Sequence, residues 1–265
     1  MSDIYLIDAP VIANDRVAED IFWMQLNAPE IARVNRPGQF INILTNPDGN
    51  PLWRRPFSVA RLSDDNIHII FKVIGRGTRQ MAELQPGDLA NILGPLGNHF
   101  TLQSGADDFT PLLIGGGLGF APLVILRDFF VNQDQTPVLF MGALSKSEHY
   151  YTNDDRAELY VTSDDGTLGY HGLVTEQLVQ YLQRTDSNTQ FKAYSCGPEP
   201  MMRAVAHICG EYDIPLELSI EREMACGIGL CQGCTITQVA PQKKYALVCK
   251  DGPIFNASHL KFIHD

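Results

Sequence analysis

The chain has 265 residues and a formal net charge of −11, with 45% hydrophobic and 19% charged residues. This length suffices for about two domains with cores of their own, and the acidic balance argues against nucleic acid or an anionic membrane as the partner. The N-terminus lacks the basic and apolar parts of a secretory signal. The longest apolar run, residues 111–126, is too short and too rich in glycine to span a bilayer. We therefore expect a soluble cytoplasmic protein.

The six cysteines are confined to the C-terminal part of the chain, because the first 195 residues contain none. A secreted disulfide framework would usually spread its cysteines through a short chain. In a reducing cytosol, crowded cysteines indicate metal or redox chemistry instead.

The first hundred residues have the pattern of short β-strands separated by turns. Strand character is found over residues 21–26, 39–44 and 66–74. In the last of these, Ile67, Ile69, Phe71 and Val73 share one face at a period of two. Turn signals occur at residues 36–38, 46–49 and 85–88. The pattern predicts a small antiparallel barrel, interrupted by one short helix at about residues 78–84.

From about residue 110 strands alternate with helices, which predicts a doubly wound parallel sheet. The predicted strands cover residues 111–114, 137–141, 158–162 and 191–195, and the predicted helices residues 120–132, 173–183 and 199–212. The last 45 or so residues are rich in glycine and cysteine and poor in helix. We expect three domains, at residues 1–104, 105–218 and 219–265.

The C-terminal cysteines have the spacing Cys226-x4-Cys231-x2-Cys234-x14-Cys249. This C-x4-C-x2-C…C spacing is that of plant-type 2Fe–2S ligation, and the glycines between the cysteines let the backbone approach a cluster closely. A four-cysteine zinc site is the main alternative, although Cys249 lacks the C-x2-C partner that zinc sites usually contain. No histidine alternates with these cysteines as a Rieske centre requires, and the C-x2-C-x2-C spacing of a four-iron cluster is absent.

A glycine-rich turn, residues 114–122, follows a predicted strand and opens a predicted helix. It contains Gly115, Gly116, Gly117 and Gly119. In this context glycine allows the backbone to approach a pyrophosphate at a helix N-terminus, but such turns also serve packing alone. The motif is not a phosphate loop of the G-x4-G-K-S/T type, which argues against a nucleotide triphosphatase.

Three shorter motifs are weaker on their own. Arg54-Arg55-Pro56-Phe57-Ser58 offers a guanidinium for a diphosphate and a hydroxyl for a ring nitrogen, or is simply an exposed basic pair before a proline. Gly75-Arg76-Gly77-Thr78 is a glycine pair that opens the short helix. Cys196-Gly197-Pro198 ends a predicted strand at the sheet edge where ligands bind, although a lone cysteine there is usually a small buried hydrophobe. We interpret Cys209, inside a predicted helix, as core packing.

Taken in order, these motifs make the chain resemble the ferredoxin–NAD(P) reductase superfamily over its whole length. In that family R-x-F/Y-S and a following G-x-G-T bind FAD, and Gly94-Pro95-Leu96-Gly97 matches the G-P-x-G after the last barrel strand. The resemblance implies FAD contacts from Arg55, Pro56, Phe57, Ser58, Ile70, Phe71, Lys72, Gly77 and Thr78. It implies nicotinamide-nucleotide contacts from Gly115, Gly116, Gly117, Gly119, Cys196, Gly197 and Pro198, with Ser58 and Cys196 as catalytic residues.

More narrowly, the cluster position and the stretch Asp164-Asp165-Gly166-Thr167-x-Gly169 followed by Gly172-x-Val174-Thr175 resemble electron-transfer subunits of type B dihydroorotate dehydrogenase. The resemblance implies an NAD-linked electron-transfer component of pyrimidine biosynthesis, in which FAD exchanges a hydride with NAD(H) and single electrons with the cluster. It also implies an FMN-containing catalytic partner in a complex of two copies of each subunit. Related subunits of sulfide dehydrogenases and of bifurcating ferredoxin–NADP reductases share this layout. A reductase that feeds an oxygenase or ferredoxin, and a non-enzymatic zinc-stabilised binding protein, also stay open.

Two further expectations follow from particular residues. The stretch after the second nucleotide-domain strand, residues 142–148, contains no arginine for a 2′-phosphate, so we expect NAD(H) rather than NADP(H), with Lys146 as the residue that opposes this argument. Met224, Ile228 and Leu230 are apolar residues near the cluster cysteines. They serve either local packing or a partner interface.

Overall fold

A computed structural model describes residues 3–46, 51–102 and 109–264. Residues 47–49 of the predicted turn lie outside these ranges. The N-terminal strands are β1 (Tyr5–Ala18), β2 (Ile21–Asn27), β3 (Phe40–Leu44), β4 (Arg55–Ser63), β5 (Asn66–Lys72) and β6 (Leu89–Leu96). They close into an antiparallel barrel in the order β1-β2-β5-β4-β3-β6. The predicted barrel is therefore confirmed.

The barrel interior follows from the alternation of side chains along each strand. On β5, Ile67, Ile69 and Phe71 are fully buried and belong to the barrel core, as the period of two predicts. On β3, Ile41 and Ile43 point into the same core. The intervening residue, Asn42, therefore lies on the outer face of the barrel.

Two short helices accompany the barrel, α1 (Pro29–Ala32) and α2 (Arg76–Ala82). The second starts two residues earlier than predicted. The Thr78 hydroxyl accepts hydrogen bonds from the backbone N–H groups of Ile74, at 3.0 Å, and Gly75, at 3.2 Å. Because this is one half of a capping box, Thr78 is the third residue of the helix rather than its first.

The following region contains β7 (Thr110–Gly116), α3 (Ala121–Val131), β8 (Val138–Ala143), β9 (Glu158–Ser163), β10 (Tyr170–His171), α4 (Val174–Arg184), β11 (Phe191–Cys196), α5 (Glu199–Glu211) and β12 (Leu216–Ser219). The last segment adds β13 (Thr235–Thr237), β14 (Tyr245–Leu247), β15 (Ile254–Asn256) and α6 (Lys261–His264). The large sheet has the order β10-β9-β8-β7-β11-β12-β15, and every neighbouring pair is parallel except β12 and β15. This confirms the doubly wound architecture, whose strand order reverses between β7 and β11.

The barrel and the sheet pack against each other through α3 and share an apolar core. Ile70 of β5 and Phe120, just before α3, belong to one buried cluster. Two ion pairs join the same surfaces, Arg61 to Asp128 at 2.7 Å and Lys72 to Glu148 at 2.5 Å. Both domains are thereby held in one orientation.

The C-terminal segment is attached to both domains. Strand β15 pairs with the edge strand β12 of the sheet. From the barrel end, the Asn98 side chain donates to the carbonyls of Asp251, at 3.0 Å, and Ile254, at 2.8 Å, and accepts from the Ile254 N–H at 2.8 Å. Within the described ranges, no helix is both long and apolar enough to cross a membrane.

Candidate functional site

The glycine-rich turn and the Cys196-Gly197-Pro198 turn meet at the carboxyl edge of the sheet. Gly115 at the end of β7 lies opposite Cys196 at the end of β11. A Cβ atom on Gly119 would lie 2.5 Å from the Gly197 Cα atom, and one on Gly116 would lie 3.0 Å from Pro198 Cδ. Because these distances leave no room for a side chain, glycine is required for the two turns to form one surface. That surface lies where nucleotides bind in such sheets.

Tyr150 forms hydrogen bonds with the backbone of the glycine turn. The sequence analysis did not identify this residue. Its side chain is buried, and its hydroxyl donates to the Gly117 carbonyl at 3.1 Å and more weakly to the Leu118 carbonyl at 3.5 Å. Gly117 has a φ of 54°, a conformation that favours glycine. The tyrosine therefore fixes the part of the turn whose backbone is unusual.

Cys196 faces Glu221, a second residue that the sequence analysis did not identify. The Cys196 thiol is buried and lies 3.9 Å from a carboxylate oxygen of Glu221. Burial, and then the nearby Glu221 carboxylate, raise the pKa of Cys196 well above its ordinary value. Burial also raises the pKa of Glu221, although the residue as a whole is exposed to solvent. The two groups can hold and exchange a proton at the edge of the proposed nucleotide surface.

The two arginines of the barrel motif have different surroundings. Arg54 donates to the Asn91 carbonyl at 3.0 Å and to the Asn91 side-chain oxygen, and burial lowers its pKa. Arg55, at the start of β4, is half-exposed and donates to the Trp53 carbonyl at 2.6 Å. Arg54 is thus part of the barrel framework, whereas Arg55 is available to a ligand.

Alternation along β4 places Pro56 and Ser58 on the outer face of the barrel. Phe57 instead packs against the barrel core, with its ring centroid 5.9 Å from that of Phe71. Near this strand, a Cβ on Gly77 would lie 3.0 Å from Thr45 Oγ1. The Thr45 hydroxyl is buried and has no hydrogen-bond partner among the described residues.

Ile70, Phe71 and Lys72 were predicted to contact the cofactor, and their side chains are engaged within the protein. Ile70 packs against the core shared with α3, Phe71 lies inside the barrel, and Lys72 pairs with Glu148. That these residues bind a cofactor stays a prediction, and the contacts would come from their backbone atoms.

The four C-terminal cysteines are grouped as two pairs. All six cysteines, which lie within residues 109–264, are free thiols. The Cys231 N–H donates to the Cys226 sulfur at 3.4 Å, and the Cys249 N–H donates to the Cys234 sulfur at 3.4 Å. Within the described part of the chain, no three metal-binding side chains converge on a single ion. Two thiol pairs with N–H donors at sulfur match a two-iron cluster, in which each iron takes two thiolates.

The electrostatic surroundings differ between the two pairs. Burial raises the pKa of Cys226, but hydrogen bonds from the backbone of Cys231 and Ile228 outweigh it and bring the pKa down to about 6. Burial, and then the neighbouring Cys234 thiol, raise the pKa of Cys249 to about 12. Cys209 lies apart in α5, where burial raises its pKa to about 12.

Of the three apolar residues near the cluster cysteines, one packs inside the protein and two are exposed. Met224 packs against the protein core. Ile228 and Leu230 are exposed, Leu230 to 77%. Local packing therefore accounts for Met224, and an interface role remains for the other two.

A cleft of about 610 Å³ lies at the carboxyl end of β8, between the sheet and the barrel. Lys146, Asp165 and Thr167 line it together with Glu19 from the barrel. The Lys146 N–H donates to the Thr167 hydroxyl at 2.8 Å, and that hydroxyl donates to Asp165 at 2.6 Å. The Asp164–Gly169 stretch thus shapes the loop that was predicted to discriminate between the coenzymes.

Comparison with known proteins adds to this geometry. Residues 221–261 match the family described as the iron-sulfur cluster binding domain of dihydroorotate dehydrogenase B, and residues 113–207 match the oxidoreductase NAD-binding domain. The chain is 33% identical over 258 residues to the dihydroorotate dehydrogenase B (NAD(+)) electron transfer subunit of Fusobacterium nucleatum subsp. nucleatum, covering 96% of this chain and 98% of that protein. It is 34% identical over 254 residues to the corresponding subunit of Geobacillus kaustophilus, covering 94% and 96%. The chain belongs to this electron transfer subunit family.

Solved structures show the same architecture. A chain from an NADH-dependent reduced ferredoxin–NADP oxidoreductase structure, described in connection with flavin-based electron bifurcation, aligns with a TM-score of 0.82 and 25% identity, covering 97% of this chain and 91% of that one. The ferredoxin reductase of carbazole 1,9a-dioxygenase aligns with a TM-score of 0.66 and 21% identity, covering 81% and 69%. The predicted family and fold are therefore confirmed.

Proposed function

We propose that this member of the dihydroorotate dehydrogenase B electron transfer subunit family carries electrons between NAD(H) and a catalytic subunit that interconverts dihydroorotate and orotate. It would use FAD and a 2Fe–2S cluster. The observation that carries the proposal is the pairing of four C-terminal thiols, the first three of which lie on a loop, residues 226–234, that packs against the barrel and is called the cluster loop below. On that loop, a Cβ on Gly227 would lie 3.4 Å from Leu96 of β6. The cluster site therefore lies beside the barrel that bears the flavin motif.

On the barrel, Arg55 would bind the FAD diphosphate through a charge-assisted hydrogen bond. The backbone amides of Gly77 and Thr78 would add donors, and glycine at residue 77 lets the first turn of α2 pack closely against Thr45. Ser58, on the outer face of β4, would place its hydroxyl near a flavin ring nitrogen. When bound, FAD supplies the conversion between the two-electron chemistry of nicotinamide and the one-electron chemistry of the cluster.

At the sheet edge, the glycine turn would receive the coenzyme pyrophosphate, and Cys196, Gly197 and Pro198 would lie beside the nicotinamide. Because its pKa is raised, Cys196 stays a neutral thiol at neutral pH. It would therefore orient the ring by contact and hydrogen bonding rather than act as a nucleophile. Glu221, 3.9 Å from that thiol, would hold a proton at the same edge.

In the C-terminal segment, Cys226 and Cys231 would ligate one iron, and Cys234 and Cys249 the other. This assignment follows the observed pairing, in which each pair is joined by a backbone N–H donating to a sulfur. Four reduced thiols are required for it, which favours a cytoplasmic location.

The partner would be an FMN-containing catalytic subunit, two copies of each subunit forming the complex, with electrons flowing physiologically from dihydroorotate to NAD⁺. Its docking surface would include the exposed Ile228 and Leu230. Every recognisable motif of this chain is assigned to FAD, nicotinamide or the cluster.

The test is to purify the chain alone and together with the catalytic subunit. The isolated chain should show flavin and iron–sulfur absorption and reduce dyes with NADH, yet fail to oxidise dihydroorotate. Adding the catalytic subunit should couple dihydroorotate oxidation to NAD⁺ reduction. Dihydroorotate oxidation by the isolated chain would contradict this division of labour.

A second candidate is a reductase component for another acceptor, such as a ferredoxin. It is favoured by the likeness, over 97% of this chain, to the ferredoxin–NADP oxidoreductase structure. Purifying the native complex and identifying the protein bound to this chain separates the two. A bound ferredoxin or oxygenase component would favour the second candidate.

A further inference from the structure

Asn42 is a buried polar residue at an outward-facing position of the barrel. Its neighbours on β3, Ile41 and Ile43, point into the core, so the Asn42 side chain points away from it. An outward position on a barrel strand usually meets water, but Asn42 is fully buried. The cluster loop covers it, because a Cβ on Gly227 would overlap the Asn42 amide.

The Asn42 amide contacts a predicted cluster ligand directly. Its Nδ2 group donates to the backbone carbonyl of Cys226 at 3.4 Å, across 184 residues of sequence. Gly227, the next residue, has a φ of 70° and leaves the space that the amide fills. The first part of the cluster loop is therefore seated on this one side chain.

On the other side, Asn42 lies beside the flavin motif. It is directly opposite Pro56 in the pairing of β3 with β4, and directly opposite residues of an antiparallel pair share one face of the sheet. Ser58 lies on the same face, two residues further along β4. Asn42 thus stands between the strand expected to hold FAD and the loop expected to hold the cluster.

We propose that Asn42 is a positioning residue for electron transfer, which fixes the cluster loop on the flavin-bearing face of the barrel and stabilises the reduced cluster. This inference rests on the proposed function. The positive end of the amide dipole is directed at the carbonyl of a cluster ligand. Because a cluster becomes more negative on reduction, such a donor favours the reduced form and raises the reduction potential.

The Asn42 side chain also contains a buried oxygen without a partner. The Asn42 Oδ1 atom is buried and has no hydrogen-bond partner among the described residues. A buried unsatisfied oxygen costs free energy, and an apolar residue of similar shape would avoid that cost. Asn35 has the same unpartnered oxygen, so what distinguishes Asn42 is the contact of its amide with the backbone of Cys226.

The experiment compares Asn42→Leu and Asn42→Ala with Asn35→Ala in the holoprotein. Asn35 is a matched control, because it is also buried, donates to one backbone carbonyl (Arg36, at 3.3 Å) and has an unpartnered Oδ1 in the described structure. The readouts are the cluster midpoint potential from an EPR-monitored titration, the rate of cluster reduction after mixing with NADH, and the FAD and iron contents.

Both Asn42 variants should retain FAD but have a lower cluster potential and slower cluster reduction. The expected shift is smaller than about 59 mV, the shift that corresponds to a tenfold change in a one-electron equilibrium, because only the difference in this contact between the two redox states changes the potential. Loss of iron from both Asn42 variants, with FAD and the control intact, would also support the assignment. Parental potentials in both, or an equal shift in Asn35→Ala, would overturn it. A parent protein without flavin or iron–sulfur absorption would instead refute the proposed function.

Discussion

Replacing Tyr150 with phenylalanine tests whether the glycine turn binds the coenzyme. The substitution removes one hydroxyl and leaves the buried ring in place, so the lost contacts are the bonds to the carbonyls of Gly117, at 3.1 Å, and Leu118, at 3.5 Å. A neutral hydrogen bond contributes about 0.5–1.5 kcal/mol net, which corresponds to roughly a 2- to 12-fold change in an equilibrium constant. The loosened turn should weaken NADH binding by that factor.

Steady-state reduction of a dye by NADH measures the effect. The KM for NADH should rise by more than kcat falls, because the lost hydrogen bonds are those to the backbone of the glycine turn. Burial raises the pKa of Tyr150 well above its ordinary value, so the tyrosine stays protonated and the effect should not vary across neutral pH. FAD and iron contents should not change.

Tyr194→Phe is the matched control. Tyr194 is fully buried on β11, and its hydroxyl has no hydrogen-bond partner in the described part of the chain. Its removal should therefore leave the KM for NADH unchanged. A parental KM in Tyr150→Phe, or an equal increase in both variants, would refute the role given to the turn.

Four further predictions concern the flavin motif, the choice of coenzyme, the ion pairs of Asp154 and the C-terminal cysteines. Arg55→Ala should weaken FAD binding by about one to two decades, because a hydrogen bond to a charged group contributes about 1.5–3 kcal/mol; unchanged flavin retention in dialysis would count against the assignment. Diaphorase assays with both coenzymes should show a preference for NADH, although Lys146 could bind a 2′-phosphate. A clear preference for NADPH would contradict the expected NAD(H) specificity. Because the hydrogen bond from Arg156, and further contacts with it and Arg127, lower the pKa of Asp154 below its ordinary value, the contribution of the ionised carboxylate to stability is present above that ordinary value and is lost as the pH falls. In urea unfolding, the parent protein should lose more free energy of unfolding between neutral and acidic pH than Asp154→Asn does. An equal loss in both proteins would contradict this. Substitution of any one of the predicted ligands, Cys226, Cys231, Cys234 and Cys249, should abolish the iron and acid-labile sulfide of the cluster. Substitution of Cys196 or Cys209 should leave both contents unchanged, and zinc without sulfide would contradict the assignment.

Local sequence patterns were sufficient to predict most of the fold. The alternation along β5 identified both the strand and its buried face, and the alternation of strands with helices after residue 110 predicted the parallel sheet. Strand β1 was not identified because its alternation is interrupted. It contains Pro10 and has pairing irregularities between Val11 and Ala13 and between Arg16 and Ala18. A bulge shifts the side chains to the other face, which removes the period of two.

The motifs identified the site residues that lie close together in sequence, but not those that only the fold brings there. Glu221 is 25 residues from Cys196 and meets it because β12 is the neighbour of β11. Tyr150 and Asn42 reach their partners across 33 and 184 residues. A single tyrosine, asparagine or glutamate carries no local signal of such a contact.

The attachment of the C-terminal segment restricts how electrons leave this protein. Asn98 holds residues 251–254 to the barrel, and β15 completes the edge of the sheet. The cluster loop precedes these anchors and itself rests on Asn42. A cluster-bearing segment that moves between donor and acceptor needs a flexible connection. Here the segment is attached at two places, Asn98 and strand β12, instead. With the cluster site held at these points, the acceptor would have to dock beside it, and the rate of electron delivery would then depend on how well the partner docks rather than on movement of the cluster loop.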